Sequence, residues 1–212
     1  RVSTKTVFDA TLEFDKEGLL KGKVKLVKEG YDGQQMRVDY NSKGKEDYIK
    51  TFNQKNGWNI QASEIENLTN LSEPVKETYE MSLEEGDRLA SDIIYLNPLI
   101  GRGIGENPFK LETRVFPVDF ASPFEQTNLV TIKIPYGYEV EELPQPLAIS
   151  LPDKGGRFLY TIGKMNGVIS LTSLFSINKT RYSQTEYQSL REFYNQVVAK
   201  QGELIVLKKS RD

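Results

Sequence analysis

The stretch from residue 180 to residue 209 constrains the fold more than any other part of the sequence. Ser183 can cap a helix, and Glu186, three residues later, can bond back to the backbone of Ser183. Apolar residues then recur at spacings of three and four, which predicts one buried helical face: Tyr187, Leu190, Phe193, Tyr194, Val197 and Val198. Gly202 ends this helix, and the apolar run 204–207 is too short for another helix, so it predicts a buried strand. A chain that ends in this way needs its C-terminus to complete its core.

The first half of the chain begins with two alternating segments. Residues 7–14 place Phe8, Ala10, Leu12 and Phe14 on one face, and residues 19–27 alternate in the same manner after a turn at 15–18. This pattern predicts a hairpin with one buried face and one solvated face. Residues 34–41 and 46–53 follow with mixed spacings, and they predict two short helices separated by 41–44. Segments rich in β-formers then predict strands at 58–66, 75–84 and 89–96.

The second half of the chain has the pattern of a strand meander. Residues 114–120 and 128–134 open it, and Pro135-Tyr136-Gly137 then predicts a tight turn into a returning strand at 138–143. Further strands are predicted at 147–151 and 157–162. Asn166-Gly167 is a strong hairpin signal that joins the last of these to residues 168–178.

These patterns predict a mainly β fold of the α+β class with two β-rich, sandwich-like units. The first unit carries the two short helices, and the second is the meander with its C-terminal helix and final buried strand. The glycine-rich segment within residues 99–111 is the best candidate for a domain boundary. We therefore expect domains at 1–98 and 112–212 with a linker at 99–111. The second unit could be a β-sandwich or a sheet covered by its own helix.

The sequence contains no cysteine and no histidine. Thiol nucleophiles, disulfides and every Ser-His or Cys-His mechanism are therefore excluded for the chain as given. The net charge of -2 does not favour nucleic acid binding, and no apolar run reaches membrane-spanning length. Because the chain starts at Arg1, we expect it to be a processed or excised piece of a longer protein.

Motifs that could support catalysis or cofactor binding have better structural explanations. Residues 101–105, Gly-Arg-Gly-Ile-Gly, have the wrong spacing for a dinucleotide fingerprint and are not followed by a helix. Glu141 and Glu142 are adjacent on a strand and would point to opposite faces, while Asp87 and Asp92 would decorate a strand surface. We therefore expect no catalytic residue, no cofactor site and no metal site.

Aromatic residues are the remaining candidates for binding. Trp58, Tyr31 and Tyr48 could stack on a ligand, but aromatic residues of small β domains are more often in the core. Tyr136 lies within a turn and should be exposed. We therefore name Tyr136 and Tyr138 as candidate ligand-stacking residues.

Several segments carry a resemblance to a bacterial family. They are DRLASDIIYLNPLI, ENPFKLETRVFPVDFASPFEQTNLVTIKIPYGYEVEELPQP, LPDKGGRFLYTI and EYQSLREFYNQVVAKQGELIVLKK. Together they resemble the C-terminal domain of unknown function that follows the transglutaminase-like, papain-fold core of exported transglutaminase-like and protease-like proteins. The resemblance covers residues 85–209 well and the first half more loosely. The Cys-His-Asp triad of that family belongs to the upstream core, so no residue of this chain matches it.

The resemblance implies a non-catalytic accessory region rather than an enzyme. Such a region would pack on the upstream catalytic domain of the same polypeptide or position its substrate, and it would be periplasmic or at the cell surface. The alternative hypothesis is an independent glycan- or peptide-binding module of the cell envelope, which the exposed turn around Tyr136 motivates. Neither hypothesis involves nucleic acid or a membrane span.

Overall fold

The computed structural model describes residues 3–83 and 91–210. Its helices and strands follow in chain order: β1 (Thr4–Phe14), β2 (Leu20–Glu29), α1 (Gly30–Asn56), β3 (Trp58–Glu66), β4 (Val75–Leu83), β5 (Ile93–Leu96), β6 (Val118–Asp119), β7 (Phe124–Lys133), β8 (Tyr138–Glu142), β9 (Leu147–Ser150), β10 (Gly156–Met165), β11 (Val168–Ile177), β12 (Arg181–Tyr182), α2 (Tyr187–Gln201) and β13 (Ile205–Lys209). The predicted class, mainly β with helical regions in both halves, is confirmed.

One eight-stranded sheet runs through both halves of the chain, where the sequence predicted two sandwich-like units. Its strand order is β3-β4-β2-β1-β7-β11-β10-β9. Every pairing in it is antiparallel except that of β1 with β7, which is parallel and registers Thr4 with Phe124 and Leu12 with Ile132. Local alternation could not predict this pairing, because it joins strands more than a hundred residues apart.

The large sheet buries one face and leaves the other exposed. Residues paired across neighbouring strands share a face, so Val24, Ala10, Val130 and Leu171 form one row of the buried face. Helix α2 and a three-stranded sheet, ordered β5-β13-β8, contribute further buried residues to the same core cluster, and the partly buried Ile49 and Phe52 of α1 pack against it. The fold is therefore a sheet covered on one side, which matches the second of the two predicted arrangements. No helix in the described part of the chain is long and apolar enough to cross a membrane.

Helix α1 is broken at the position that the sequence indicated. Gly44 has φ 78° and ψ 167°, which are not helical, and it separates two helical arms. The prediction of two short helices around 41–44 is thus confirmed. The second arm ends at a glycine C-cap, in which Gly57 adopts a left-handed conformation and donates its N–H to the carbonyl of Asn53.

Both predicted hairpins are present. In the first, the carboxylate of Asp15 accepts bonds from the N–H groups of Glu17 and Leu19. In the second, Asn166 and Gly167 have φ values of 51° and 75°, the left-handed pair that a type I′ turn requires.

The C-terminal helix and strand form as predicted. Ser183 and Glu186 make the capping box in a short 3₁₀ turn that leads into α2. Ile205 and Leu207 are fully buried, and β13 is the central strand of its sheet, whereas Leu204 is 43% exposed. The strand predicted to return at 138–143 pairs with β13 and not with β7, because the turn at 135–137 redirects the chain into the smaller sheet.

Residues 99–111 contain no helix or strand, as expected of a connection, but they lie against α2. Gln201 accepts the N–H of Ile104 at 2.7 Å through its side chain, and Asn107 donates to the carbonyl of Arg191 at 2.8 Å. The Phe109 ring meets Tyr194 edge-on at 5.0 Å. The domain boundaries 1–98 and 112–212 concern independent folding and stay a prediction.

Truncation of the C-terminal core tests this packing. We expect Phe193→Ala to lower the free energy of unfolding by about 3–5 kcal/mol and Ile205→Ala by about 2–5 kcal/mol, because each leaves a cavity in a close-packed core. Thermal and urea unfolding measure both. Leu204→Ala, at the exposed neighbouring position, is the control and should change stability by less than about 0.5 kcal/mol. Equal effects of Ile205→Ala and Leu204→Ala would show that β13 is peripheral.

Candidate functional site

A cleft of about 750 Å³ lies where the two halves of the chain meet. One side of it is formed by Thr4 and Thr6 of β1, by residues 120–122 and by the first residues of β7, 124–126. The first arm of α1 and Phe52 of the second arm form the other side. The N-terminal ends of two parallel strands lie at the same edge of a sheet, so the β1–β7 pairing itself brings these segments together.

A tight turn directs α1 over the end of β1. Gly30 has φ 62°, and a Cβ atom at this position would lie 2.7 Å from the carbonyl oxygen of Ser3. Only glycine fits both the conformation and the space. The turn brings Tyr31 and Asp32 to the cleft, where the N–H of Tyr31 donates to the hydroxyl of Thr4 at 3.3 Å and the Thr6 hydroxyl donates to Asp32 at 2.7 Å.

A buried carboxylate lies behind the wall of the cleft. Glu77 of β4 is fully buried, and one of its oxygens is 2.6 Å from the Nζ of Lys28. Its other oxygen accepts bonds from the hydroxyls of Tyr48 at 2.7 Å and Tyr79 at 2.5 Å. A buried charge is tolerated in a core when an opposite charge and hydrogen-bond donors accompany it, and removing one partner leaves the remaining buried groups uncompensated.

The two tyrosines of this group remain protonated donors. The pKa values of Tyr48 and Tyr79 are raised mainly by burial, and the negative charge of Glu77 raises both further. Lys28 and Tyr48 also line the cleft. The group therefore fixes β2, β4 and α1 to one another and presents a rigid, polar wall.

The hydroxyl groups at the mouth of the cleft bond to one another. The Oγ atoms of Thr4 and Ser122 are 2.9 Å apart, and Thr6 donates to Asp32. This arrangement can position a ligand by hydrogen bonding.

The cleft walls combine apolar and charged side chains. The apolar members are Tyr31, Met36, Phe52, Phe120 and Phe124. Charged side chains of both signs surround them: Lys28, Asp32, Asp39, Lys43, Lys55, Arg102 and Glu125. Such a surface suits a ligand that carries apolar groups, hydrogen-bonding groups and charge together.

The sequence-predicted stacking residues lie elsewhere. Tyr136 is fully exposed in its turn, and Tyr138 is half-buried in β8 and donates its hydroxyl to the carbonyl of Ser91 at 2.6 Å. Neither lines the cleft. Their role in ligand stacking stays a prediction.

The carboxylates considered for catalysis are dispersed. Glu141 pairs with Lys208 at 3.3 Å, and Asp92 pairs with Lys209 at 3.3 Å. Asp87 lies outside the described residues. Within residues 3–83 and 91–210 no group of three acidic, histidine or cysteine side chains could hold a metal ion.

Sequence reasoning missed the cleft and its buried carboxylate. One signal was available, because Val75, Glu77, Tyr79 and Met81 alternate along one strand face and Glu77 interrupts an otherwise apolar series. A charge on the buried face of a strand predicts a buried partner. A second signal was Lys28, which shares a strand face with Val24 and Leu26 and is out of register with the exposed Lys21, Lys23 and Lys25.

Comparison with known proteins gives a family but no function. The DUF3858 family, described as a domain of unknown function with a solved structure, matches residues 92–207, which is more than half of the chain. The chain belongs to the DUF3858 family. The expected membership in a family of unknown function is thereby confirmed for this region.

One solved structure is similar to part of the chain. A crystal structure named as that of a "putative protease" from Parabacteroides distasonis ATCC 8503 is similar over 56% of this chain, with 17% identity and a TM-score of 0.47. The similar region is 24% of that protein, so this chain spans about a quarter of it. No curated protein matches the chain.

The buried carboxylate is testable by substitution. We expect Glu77→Gln to lower the free energy of unfolding by about 3–5 kcal/mol, because the Lys28 ammonium would lose its buried partner. Tyr48→Phe should cost about 1.5–3 kcal/mol through loss of one bond to a charged acceptor. Glu80→Gln, exposed on the same strand, is the control and should have little effect. Urea unfolding gives all three values, and a Glu77→Gln protein as stable as the control would contradict the assigned role of the group.

Proposed function

We propose that this DUF3858 chain is a non-catalytic accessory region of an exported protein and that its cleft holds a peptide segment. The observation that carries the proposal is the cleft at the junction of the halves, with aromatic walls, charges of both signs and hydroxyl groups. The cleft offers binding groups, while the sequence offers neither histidine nor cysteine for acyl transfer.

The chemistry of the cleft favours a peptide over other ligands. A peptide presents amide groups, apolar side chains and isolated charges at short intervals. Tyr31 and Phe124 can pack against the apolar side chains of the peptide. The charged side chains of α1 include acidic and basic residues, so they can pair with basic and acidic groups of the peptide. A nucleic acid would require a strongly basic surface, and this cleft includes Asp32, Asp39 and Glu125.

The sequence resemblance supports a position after a transglutaminase-like core in the same polypeptide. In that position the cleft would hold part of the core's substrate, and the region would be exported together with the core. The alternative from the sequence, an independent glycan- or peptide-binding module, shares the binding role but needs no catalytic partner. The exposed ring of Tyr136 is the feature that favours a glycan.

Activity of the parent catalytic core, measured with and without this region, tests the accessory role. The variant Ala121→Trp should fill the cleft, since Ala121 lines it. We expect KM for a peptide substrate to rise about tenfold or more while kcat changes little. The reason is that the cleft would stabilise the bound substrate and the transition state equally, so its loss weakens binding without slowing the chemical step. Ala148→Trp, on the exposed face of β9, is the matched control and should leave both constants unchanged.

Two outcomes would reject the proposal. Identical kinetics of the core in the presence and absence of this region would remove the accessory role. Binding of a glycan panel by the isolated chain that Tyr136→Ala abolishes and Ala121→Trp leaves intact would favour the independent glycan module. A melting temperature for each variant confirms that the protein is folded in every assay.

A further inference from the structure

Arg102 enters the cleft from a tightly held turn. The N–H of Arg102 donates to the carbonyl of Leu99 at 2.9 Å, and the indole of Trp58 donates to the carbonyl of Ile100 at 3.0 Å. Gly101 has φ 83°, and a Cβ atom there would lie 2.9 Å from the carbonyl oxygen of Asn56. Gly101 thus allows the turn to lie directly against the end of α1, and Arg102, the next residue, lines the cleft.

The guanidinium of Arg102 has few partners. Its Nε is buried without a hydrogen-bond acceptor, and one terminal nitrogen is 3.4 Å from the side-chain oxygen of Asn56. The guanidinium carbon lies 5.5 Å from the centre of the Phe8 ring. Among residues 3–83 and 91–210 no carboxylate oxygen is within 4.0 Å of its nitrogens. Burial lowers the pKa of Arg102, as expected for a cation removed from water.

The nearby carboxylate is already occupied. Glu77 contributes a favourable charge to Arg102, but its oxygens bond to Lys28, Tyr48 and Tyr79. The Glu77–Lys28 pair is neutral as a unit, so the Arg102 charge is not balanced by it. The negative charge of Asp32 also favours the charged form of Arg102, but one carboxylate oxygen of Asp32 already accepts a hydrogen bond from the Thr6 hydroxyl. A partly buried cation without a direct counter-ion is costly unless a ligand supplies one.

We propose that Arg102 forms an anion subsite of the cleft and that it takes one carboxylate group of a peptide. The subsite rests on the proposed peptide-binding function. A guanidinium fork matches the two oxygens of a carboxylate, and the Phe8 ring lies within cation–π distance of the guanidinium carbon. The charges that line the cleft nearly balance, with Asp32, Asp39 and Glu125 against Lys28, Lys43, Lys55 and Arg102, and this favours a ligand group with a single negative charge over a doubly charged phosphate.

A peptide C-terminus and an acidic side chain are the two sources of such a carboxylate, and three probes separate them. They are N-acetyl-alanyl-phenylalanine, its C-terminal amide, and N-acetyl-alanyl-glutamic acid amide. Each is titrated into ¹⁵N-arginine-labelled protein, and the Nε–H signal of Arg102 is followed by NMR. The signal is assigned by its loss in Arg102→Gln, and the exposed Arg181 provides the control signal.

We expect at least one of the two probes that carry a carboxylate to shift the Arg102 signal to saturation. The amide of N-acetyl-alanyl-phenylalanine, which carries no carboxylate, should bind about ten- to a hundredfold more weakly. Isothermal titration calorimetry measures the variants, since the two Arg102 variants lack the Arg102 signal: Arg102→Gln should weaken binding of the acidic probe by a similar factor, Arg102→Lys by less, and Arg181→Gln not at all. If neither acidic probe shifts the Arg102 signal, the subsite is rejected. It is also rejected if Arg102→Gln binds the acidic probe like wild type, and the cleft-filling kinetics of Ala121→Trp would then still support peptide binding.

Discussion

The parallel pairing of β1 with β7 is the interaction on which the rest of the structure depends. Among the described residues, it is the one strand pairing that joins the two halves within the large sheet, and it aligns Ala10 with Val130 in the buried row. Without it, the first four strands of the sheet and the last four would each have an unpaired edge, which is a site for aggregation. The same pairing places Thr4 beside the segment before β7 and so forms the mouth of the cleft.

The polar groups around the cleft follow from this junction. Glu77 is buried where β4 meets α1, and its three donors hold the wall on the side of the first half. The turn at 97–102 carries Arg102 to the same region and is tied to α2 through the bond between Asn97 and the Gln201 carbonyl at 2.9 Å. Elements from both halves are thus required to position the charged groups of the proposed site.

The sequence predicted local structure better than it predicted long-range arrangement. The hairpin at 166–167, the helix break near Gly44 and the capping box at Ser183 are each specified by residues close together in the chain, and all three are present. The β1–β7 pairing is not specified locally. The alternation of apolar and polar residues determines which face of a strand is buried, but it does not determine which strand lies next to it. The cleft was missed for the same reason, since its walls come from segments that only this pairing brings together.

Urea unfolding of a second-half variant, followed through a first-half probe, tests the shared sheet most directly. Leu171→Ala on β11 should remove about 2–5 kcal/mol of stability, and Trp58 is fully buried in the first half. We expect the Trp58 fluorescence transition and the circular dichroism transition to coincide and to move together to lower urea concentration. A Trp58 transition that stays in place while part of the circular dichroism signal is lost earlier would show that 1–98 and 112–212 unfold separately, which would contradict the central role of the β1–β7 pairing.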